Sequence, residues 1–362
     1  MRELRRHAGR LLIAGFDGRT VPADLRAIAR DLDLGGVILF ARNVEAPEQV
    51  AELTFDLRQL AREAPLWISV DQEGGRVARL KKPFTEWPPM ASLGRGGAVE
   101  LVERFAHALG RELRAVGIDL DYAPVLDVHT NPKNPVIGDR ALSEKPEEVA
   151  RLGAALITAL QQEGVAACGK HFPGHGDTSV DSHKELPLIE HPPDRLRAVE
   201  LVPFRAAIAA GVASIMTAHV LVPSLDEQHP ATLSRTVVHD ILKTELGYGG
   251  VVLSDDLEMR AIAANMPVAD AAVEAIAAGC DGLLICGTDH DLQVSAIEAI
   301  IRAVENGTLP RARVEDAWAR QRRARERFLP QPASRPLSAR DLRLVLGTDE
   351  HQAIAAEMAR FL

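Results

Sequence analysis

The 362-residue chain holds only three cysteines, Cys168, Cys280 and Cys286, an odd number without CxxC spacing. That argues against a disulfide framework or a zinc–thiolate site and leaves buried thiols of a reducing compartment. No apolar run is long enough to span a bilayer. The opening stretch, MRELRRHAGRLLIAGFDG, has arginines and a short apolar run, but Gly15 and Asp17 interrupt it. It reads as a first strand rather than a secretory leader. Positive charge is not in excess either: 42 Lys and Arg stand against 51 Asp and Glu, for a net charge of −9. Nothing forms the basic footprint that nucleic acid requires. No Ser/Gly linker divides the chain, and "GFDGRT" (15–20) stands where a dinucleotide-binding open sheet would place GxGxxG.

What is present is alternation. Short apolar runs at 11–16, 35–41, 66–71, 120–128, 165–172, 213–219, 249–256 and 282–287 predict strands, most of them rich in Val, Ile or Leu as strands buried on both faces are. Between them, 48–63, 99–117, 146–164 and 195–211 repeat apolar residues at helical spacing. Gly117, Gly164, Gly211 and Gly279 read as helix stops. Eight strand–helix units in roughly 300 residues predict an α/β fold, a single (β/α)8 TIM barrel. The expected division is a barrel over 1–312 and helices over 313–362 packed on its exterior, with "RQRRARERF" as a solvated helix face.

A barrel carries its active site at the C-terminal ends of its strands. There the sequence places Asp71, Arg76 and Arg79 after strand three, and Asp127, His129, Asp139 and Arg140 after strand four. Strand five ends in Lys170 and His171 and opens the stretch KHFPGHGDTSVDSH (170–183); strand six ends at His219, strand seven at Asp255 and Asp256. Ionisable groups from five strands converge on one end. His171 and His175 do not make an HExxH pair, because Pro173 and Gly174 prevent the helix that motif needs, and strand one offers no HxH. No metal and no cofactor is expected. Asp181, two residues before His183, can fix its tautomer and raise its basicity, giving a general acid–base near neutral pH. Asp255, at the end of a buried strand, suits a nucleophile able to form a glycosyl ester. Arg79, Arg140, Lys170, Asp71 and His171 suit a sugar's hydroxyls and an amide. His175 and Asp177 are expected to hold the loop, and Asp256 to point away from Asp255 in a structural role. Met216 and His219 could touch substrate or pack the floor, and Asp127 should orient Lys170 or Arg140.

The loop, with DQEGGRV upstream and VVLSDDLEM downstream, resembles glycoside hydrolase family 3 over about residues 8–310, closest to its short β-N-acetylglucosaminidases that act on peptidoglycan fragments. The resemblance implies Asp255 as nucleophile, His183 as acid–base with Asp181 as its partner, and Asp71, Arg79, Arg140, Lys170 and His171 as sugar ligands. Ala141 departs mildly from the serine expected after "GDR". Two-domain relatives carry a glutamate acid–base in a second domain, for which this chain is expected to be too short, so it resembles the one-domain branch that uses histidine. The implied activity is that of a cytoplasmic, monomeric hydrolase releasing N-acetylglucosamine from muropeptides, with no nucleic-acid or membrane partner. A phosphorylase using the same dyad, a β-glucosidase or xylosidase of the same family, and a non-catalytic cell-wall binder are the alternatives; the intact Asp255 and Asp181/His183 set argues against the last.

Overall fold

The computed structural model describes residues 2–61, 64–182, 184–329 and 335–362. Eight strands line up in parallel: β1 (Leu12–Ala14), β2 (Gly36–Leu39), β3 (Trp67–Val70), β4 (Leu120–Asp121), β5 (Ala166–Phe172), β6 (Ser214–Thr217), β7 (Val251–Asp256) and β8 (Gly282–Ile285). Each pairs with its neighbour in the sequence, and β1 pairs with β8 as well. Ile13 sits opposite Gly36 on one side and Leu284 on the other, which closes the barrel. The chain is a (β/α)8 TIM barrel, and all eight strands fall within the apolar runs that predict them. The strands are buried along their length except at the last two residues of β7, Asp255 and Asp256, which open toward the barrel mouth.

The expected helix stops are real: Gly117, Gly164, Gly211 and Gly279 all have positive φ, +79°, +79°, +72° and +128°. Such angles suit a residue without a Cβ and turn the chain from helix to strand. The run at 195–211 is not one helix but two, Pro193–Ala198 and Leu201–Ala209. At the break, the buried Glu200 carboxylate accepts a hydrogen bond from Arg195 Nη1 at 3.0 Å. An N-terminal helix, Arg2–Gly9, precedes β1 and buries Leu4 and Ala8; three arginines in its eight residues obscure that apolar spacing in the sequence.

Helix Arg311–Phe328 crosses the N-terminal end of the barrel. Its basic run is two-faced: Arg322, Arg323, Glu326 and Arg327 are exposed, whereas Gln321, Arg325 and Phe328 are buried. Trp67 Nε1 at the foot of β3 donates to Gln321 Oε1 at 2.9 Å. Arg325 donates to the carbonyls of Arg10, Gly35 and Pro65 at 3.1, 2.9 and 3.2 Å, at the feet of the first three strands. Phe328 and Leu329 join Ile13, Ile38, Trp67 and Leu253 in the barrel's inner core. The solvated face expected of this run is therefore only half of it, and the other half seals the barrel floor. Among the described residues no helix is long and apolar enough to cross a membrane.

Candidate active site

A cavity of about 190 Å³ opens at the C-terminal end of the strands. Asp71, Arg79, Arg140, Lys170, His171, His175, Ser182, Asp255 and Asp256 all line it, over an apolar floor that includes Met216, Met259 and Cys286. Asp71 and Arg79 reach it because β3 runs into a small hairpin, Gln72–Gly74 with Val77–Ala78. Gln72 fixes that hairpin: its N–H donates to Asp121 Oδ1 at 2.9 Å, and its side-chain oxygen accepts from the N–H groups of Arg79 and Leu80 at 2.7 and 3.0 Å.

One wall of the cavity is an ion-pair network. Lys170 Nζ donates to Asp71 Oδ1 at 2.8 Å and lies 2.7 Å from Glu73 Oε1. Arg140 grips Glu73 with both arms of its guanidinium, at 2.9 and 2.8 Å. Arg79 Nη2 donates to Asp71 Oδ2 at 3.3 Å, and its guanidinium carbon lies 5.4 Å from the centre of the Phe40 ring. Burial alone would raise the Glu73 carboxyl, but the Lys170 and Arg140 charges hold it well below the usual carboxylate range. Burial likewise opposes the Lys170 ammonium, and Asp71 and Glu73 more than reverse that. Glu73 and Lys170 are therefore held in their charged forms at the centre of the wall. Sequence reasoning does not single out Glu73. It stands two residues after Asp71 in DQEGGRV, and no local pattern marks it as the partner of Arg140 and Lys170.

The opposite side carries the carboxylates of β7. Asp255 accepts a hydrogen bond from the Asp256 N–H at 2.8 Å. Burial pushes the Asp255 carboxyl up, but the nearby His219 and His171 rings overcome this and hold it below its ordinary value. Asp256 also lines the cavity, yet its carboxylate is occupied: Oδ1 accepts from the N–H groups of Glu258 and Cys286, both at 3.1 Å, which clips the top of β8 to β7. The structural role expected of Asp256 fits, although its side chain does not turn away from the cavity. Burial, and then the Glu258 and Asp255 charges, push its carboxyl up to about 7. His219 is wholly buried and does not line the cavity; Nε2 bonds the Asp256 carbonyl oxygen at 2.9 Å and Nδ1 bonds Thr232 Oγ1 at 2.8 Å.

Asp127 does not orient Lys170 or Arg140, contrary to the expectation from sequence. Glu73 and Asp71 take those cations first, and Asp127 instead holds the next two histidines. Its Oδ2 bonds His171 Nδ1 at 2.7 Å, and its Oδ1 accepts from the His171 and His175 N–H groups at 3.1 and 2.6 Å. The start of the loop is bolted down as expected of His175 and Asp177. His175 bonds Thr178 Oγ1 at 2.7 Å and Ser182 Oγ at 3.2 Å, and Asp177 bonds Thr130 at 2.8 Å and His191 at 2.6 Å. Burial pushes the His175 imidazole down to about 4. Ser182 brings the loop to the cavity. Asp181 is half-buried, and its carbonyl accepts from the N–H groups of Lys184 and Glu185 at 2.8 and 3.1 Å. His183 lies outside the described residues. Among the described residues, no group of three or more His, Cys, Asp or Glu side chains is arranged to hold a metal ion.

Residues 4–324 match the family description "Glycosyl hydrolase family 3 N terminal domain". The chain belongs to glycosyl hydrolase family 3. It is a glycoside hydrolase, with the family's barrel and a sugar-sized cavity at the expected end. The beta-hexosaminidase of Thiobacillus denitrificans is 44% identical over 281 residues, which cover 76% of this chain and 77% of that protein. Two solved family-3 relatives superpose on the barrel. The β-N-acetylglucosaminidase from Paenibacillus sp. str. FPU-7 does so with a TM-score of 0.93 and 42% identity, over 99% of this chain and 68% of that one. NagZ from Neisseria gonorrhoeae, in complex with N-trifluoroacetyl-D-glucosamine, does so with a TM-score of 0.78 and 32% identity, over 97% of each chain.

Proposed function

We propose that this chain is a retaining exo-β-N-acetylglucosaminidase that releases terminal N-acetylglucosamine from peptidoglycan-derived muropeptides. The observation that carries the reading is Asp255: a carboxylate held below its ordinary pKa at the rigid end of β7, sharing a small cavity with the Asp71, Arg79, Arg140 and Lys170 network. The beta-hexosaminidase and β-N-acetylglucosaminidase relatives, one of them in complex with an N-acylglucosamine, support the choice of sugar.

In the first half of the reaction an Asp255 oxygen bonds to the anomeric carbon as the bond to the aglycone oxygen breaks, and His183, tuned by Asp181, gives that oxygen a proton. In the second half a water gives a proton to His183 and attacks the same carbon. The ester bond breaks, and Asp255 is again a carboxylate. Asp71, Arg79, Arg140, Lys170 and His171 hold the sugar throughout. Neither half calls for a metal or an organic cofactor. Residues 1–312 form the catalytic barrel and 313–362 its helical extension in this reading, and the enzyme works as a cytoplasmic monomer. The test is trapping with 5-fluoro-N-acetylglucosaminyl fluoride followed by peptide mapping. The label is expected on Asp255, and Asp255→Ala should fold yet lose nearly all turnover. A label on Asp256 or Asp71 overturns the assignment. Sugar 1-phosphate formed in phosphate buffer, in place of free sugar, overturns the hydrolytic outcome.

A further inference from the structure

The family-3 match ends at residue 324, yet the last helix, Asp349–Ala359, is tied to the hairpin that carries Asp71, Glu73 and Arg79. The hub is Glu112, on helix Val99–Ala115 and only 2% exposed. Its Oε1 accepts from Thr85 Oγ1 at 2.7 Å, from the Gly347 N–H at 2.8 Å and from His351 Nδ1 at 2.8 Å. Its Oε2 accepts from the Thr85 N–H at 2.9 Å. A buried carboxylate is costly unless such donors surround it, so the hub holds its partners in fixed places. It grips the C-terminal helix on one side and residue 85 on the other.

From Thr85 the connection continues through packed groups. Trp87 meets the Phe105 ring edge-on at 5.0 Å between centres, and the His351 ring lies 6.3 Å away. The Trp87 carbonyl accepts the Gly75 N–H at 2.8 Å. Gly74 and Gly75 form the turn of the hairpin with φ of +109° and +55°. They lie so flat on this segment that a Cβ would stand 2.9 Å from the Pro88 oxygen at Gly74 and 2.9 Å from Pro89 Cα at Gly75. On the outer side, the Gly347 backbone presses just as closely on the Pro83 carbonyl, 2.2 Å from where a Cβ would be. The 83–90 segment is thus clamped between the C-terminal tail and the sugar-facing hairpin. Trp87, Met90 and Phe105 are all buried, so a displacement at one end has no slack to absorb it.

We infer that His351 and Gly347 are positioning residues for sugar binding: through Glu112 and the 83–90 segment they set where the hairpin holds Asp71 and Arg79 over the barrel mouth. The inference rests on the reading that this hairpin binds the sugar. The test compares His351→Leu, which removes the donor, with His351→Asn, which returns an N–H to the Nδ1 position. Inhibition by N-acetylglucosamine and kcat/KM on an aryl N-acetylglucosaminide are measured well below each variant's melting temperature. The Leu variant should raise the inhibition constant roughly tenfold and lower kcat/KM by a similar factor, the effect of a displacement well under the 1 Å that can cost about 10²-fold. The Asn variant should restore both. Thr85→Val, which removes one bond on the hairpin side of the hub, should reproduce the loss and serves if the Leu variant does not fold. A Leu or Val variant with a lower melting temperature but unchanged constants reduces the helix to a wrapper and overturns the inference. Arg79→Ala separates the two claims: if it leaves the inhibition constant unchanged, the reading of the hairpin falls and the inference with it. If it weakens binding while the hub variants do not, only the inference falls.

Discussion

Glu73 meets two cations, Lys170 and Arg140, with its side chain only 1% exposed. An ion pair so placed has paid a large desolvation penalty, and breaking it strands the partners, which costs about 3–5 kcal/mol. Glu73→Gln should therefore lower stability by about that amount in urea unfolding and weaken sugar binding, because two wall cations lose their shared anchor. The sign with pH follows from the depressed carboxyl. Its stabilisation is present above the ordinary carboxylate range and fades as pH falls below it, so wild type and variant should converge in acid. His183 belongs to the same scale. If it is the acid–base, His183→Ala should slow substrates with poor leaving groups by roughly 10²–10⁴-fold, and activated aryl glycosides far less in the glycosylation step. Azide should then speed the activated ones by attacking the glycosyl ester without needing a base. Equal slowing of both kinds, without azide rescue, would make His183 a binding residue.

The loop after β5 behaves as two pieces. Its first part, through Thr178, is tied to Asp127, Thr130 and Asn134, and His175 joins it to Ser182 at the cavity. With its imidazole pushed from 6.5 to about 4 by burial, His175 is neutral in the folded chain. Its contribution is complete above pH 6.5 and is lost progressively as pH falls toward 4, because the unfolded chain takes up the proton first. Hydrogen-exchange protection across 173–182, taken relative to the intrinsic exchange rate at each pH, should therefore fall as pH drops through that window and should not fall in His175→Asn. The strands and the glycine stops are legible in the sequence because they depend on local pattern: an apolar run for β8, a positive φ at Gly164. The Asp255 strand end is legible for the same reason. Glu73 is not, because its partners are 67 and 97 residues away and no local periodicity encodes a pairing of that length. Nor is the role of Asp127, since whether it meets Lys170 or His171 depends on which acid reaches the lysine first. The buried face of 311–328 is hidden by its own arginines, one of which, Arg325, serves as a donor to backbone rather than as a surface charge.

At the scale of the molecule, the two ends of the barrel do different work. The mouth holds the charged wall and Asp255; the floor is closed by Gln321, Arg325 and Phe328. Arg325→Ala takes the guanidinium from the carbonyls of Arg10 and Pro65, and from that of Gly35, which keeps the Trp67 N–H, and should cost roughly 3 kcal/mol in urea unfolding. Because this change lies at the opposite end from the cavity, the inhibition constant for N-acetylglucosamine should not move, in contrast to the Glu112 hub. The floor also has a history in time. The carbonyls that Arg325 satisfies are 260–315 positions earlier in the chain. At a ribosome's pace of about 5–20 residues per second, they wait roughly 15–60 s for it. For most of that interval β1 also lacks β8, so the nascent chain presents an open strand edge and an unsealed base to every other chain nearby. Synthesis, rather than the finished enzyme, is when this barrel is most exposed to aggregation, and a chaperone that shields its first strands would act before Asp255 has been made.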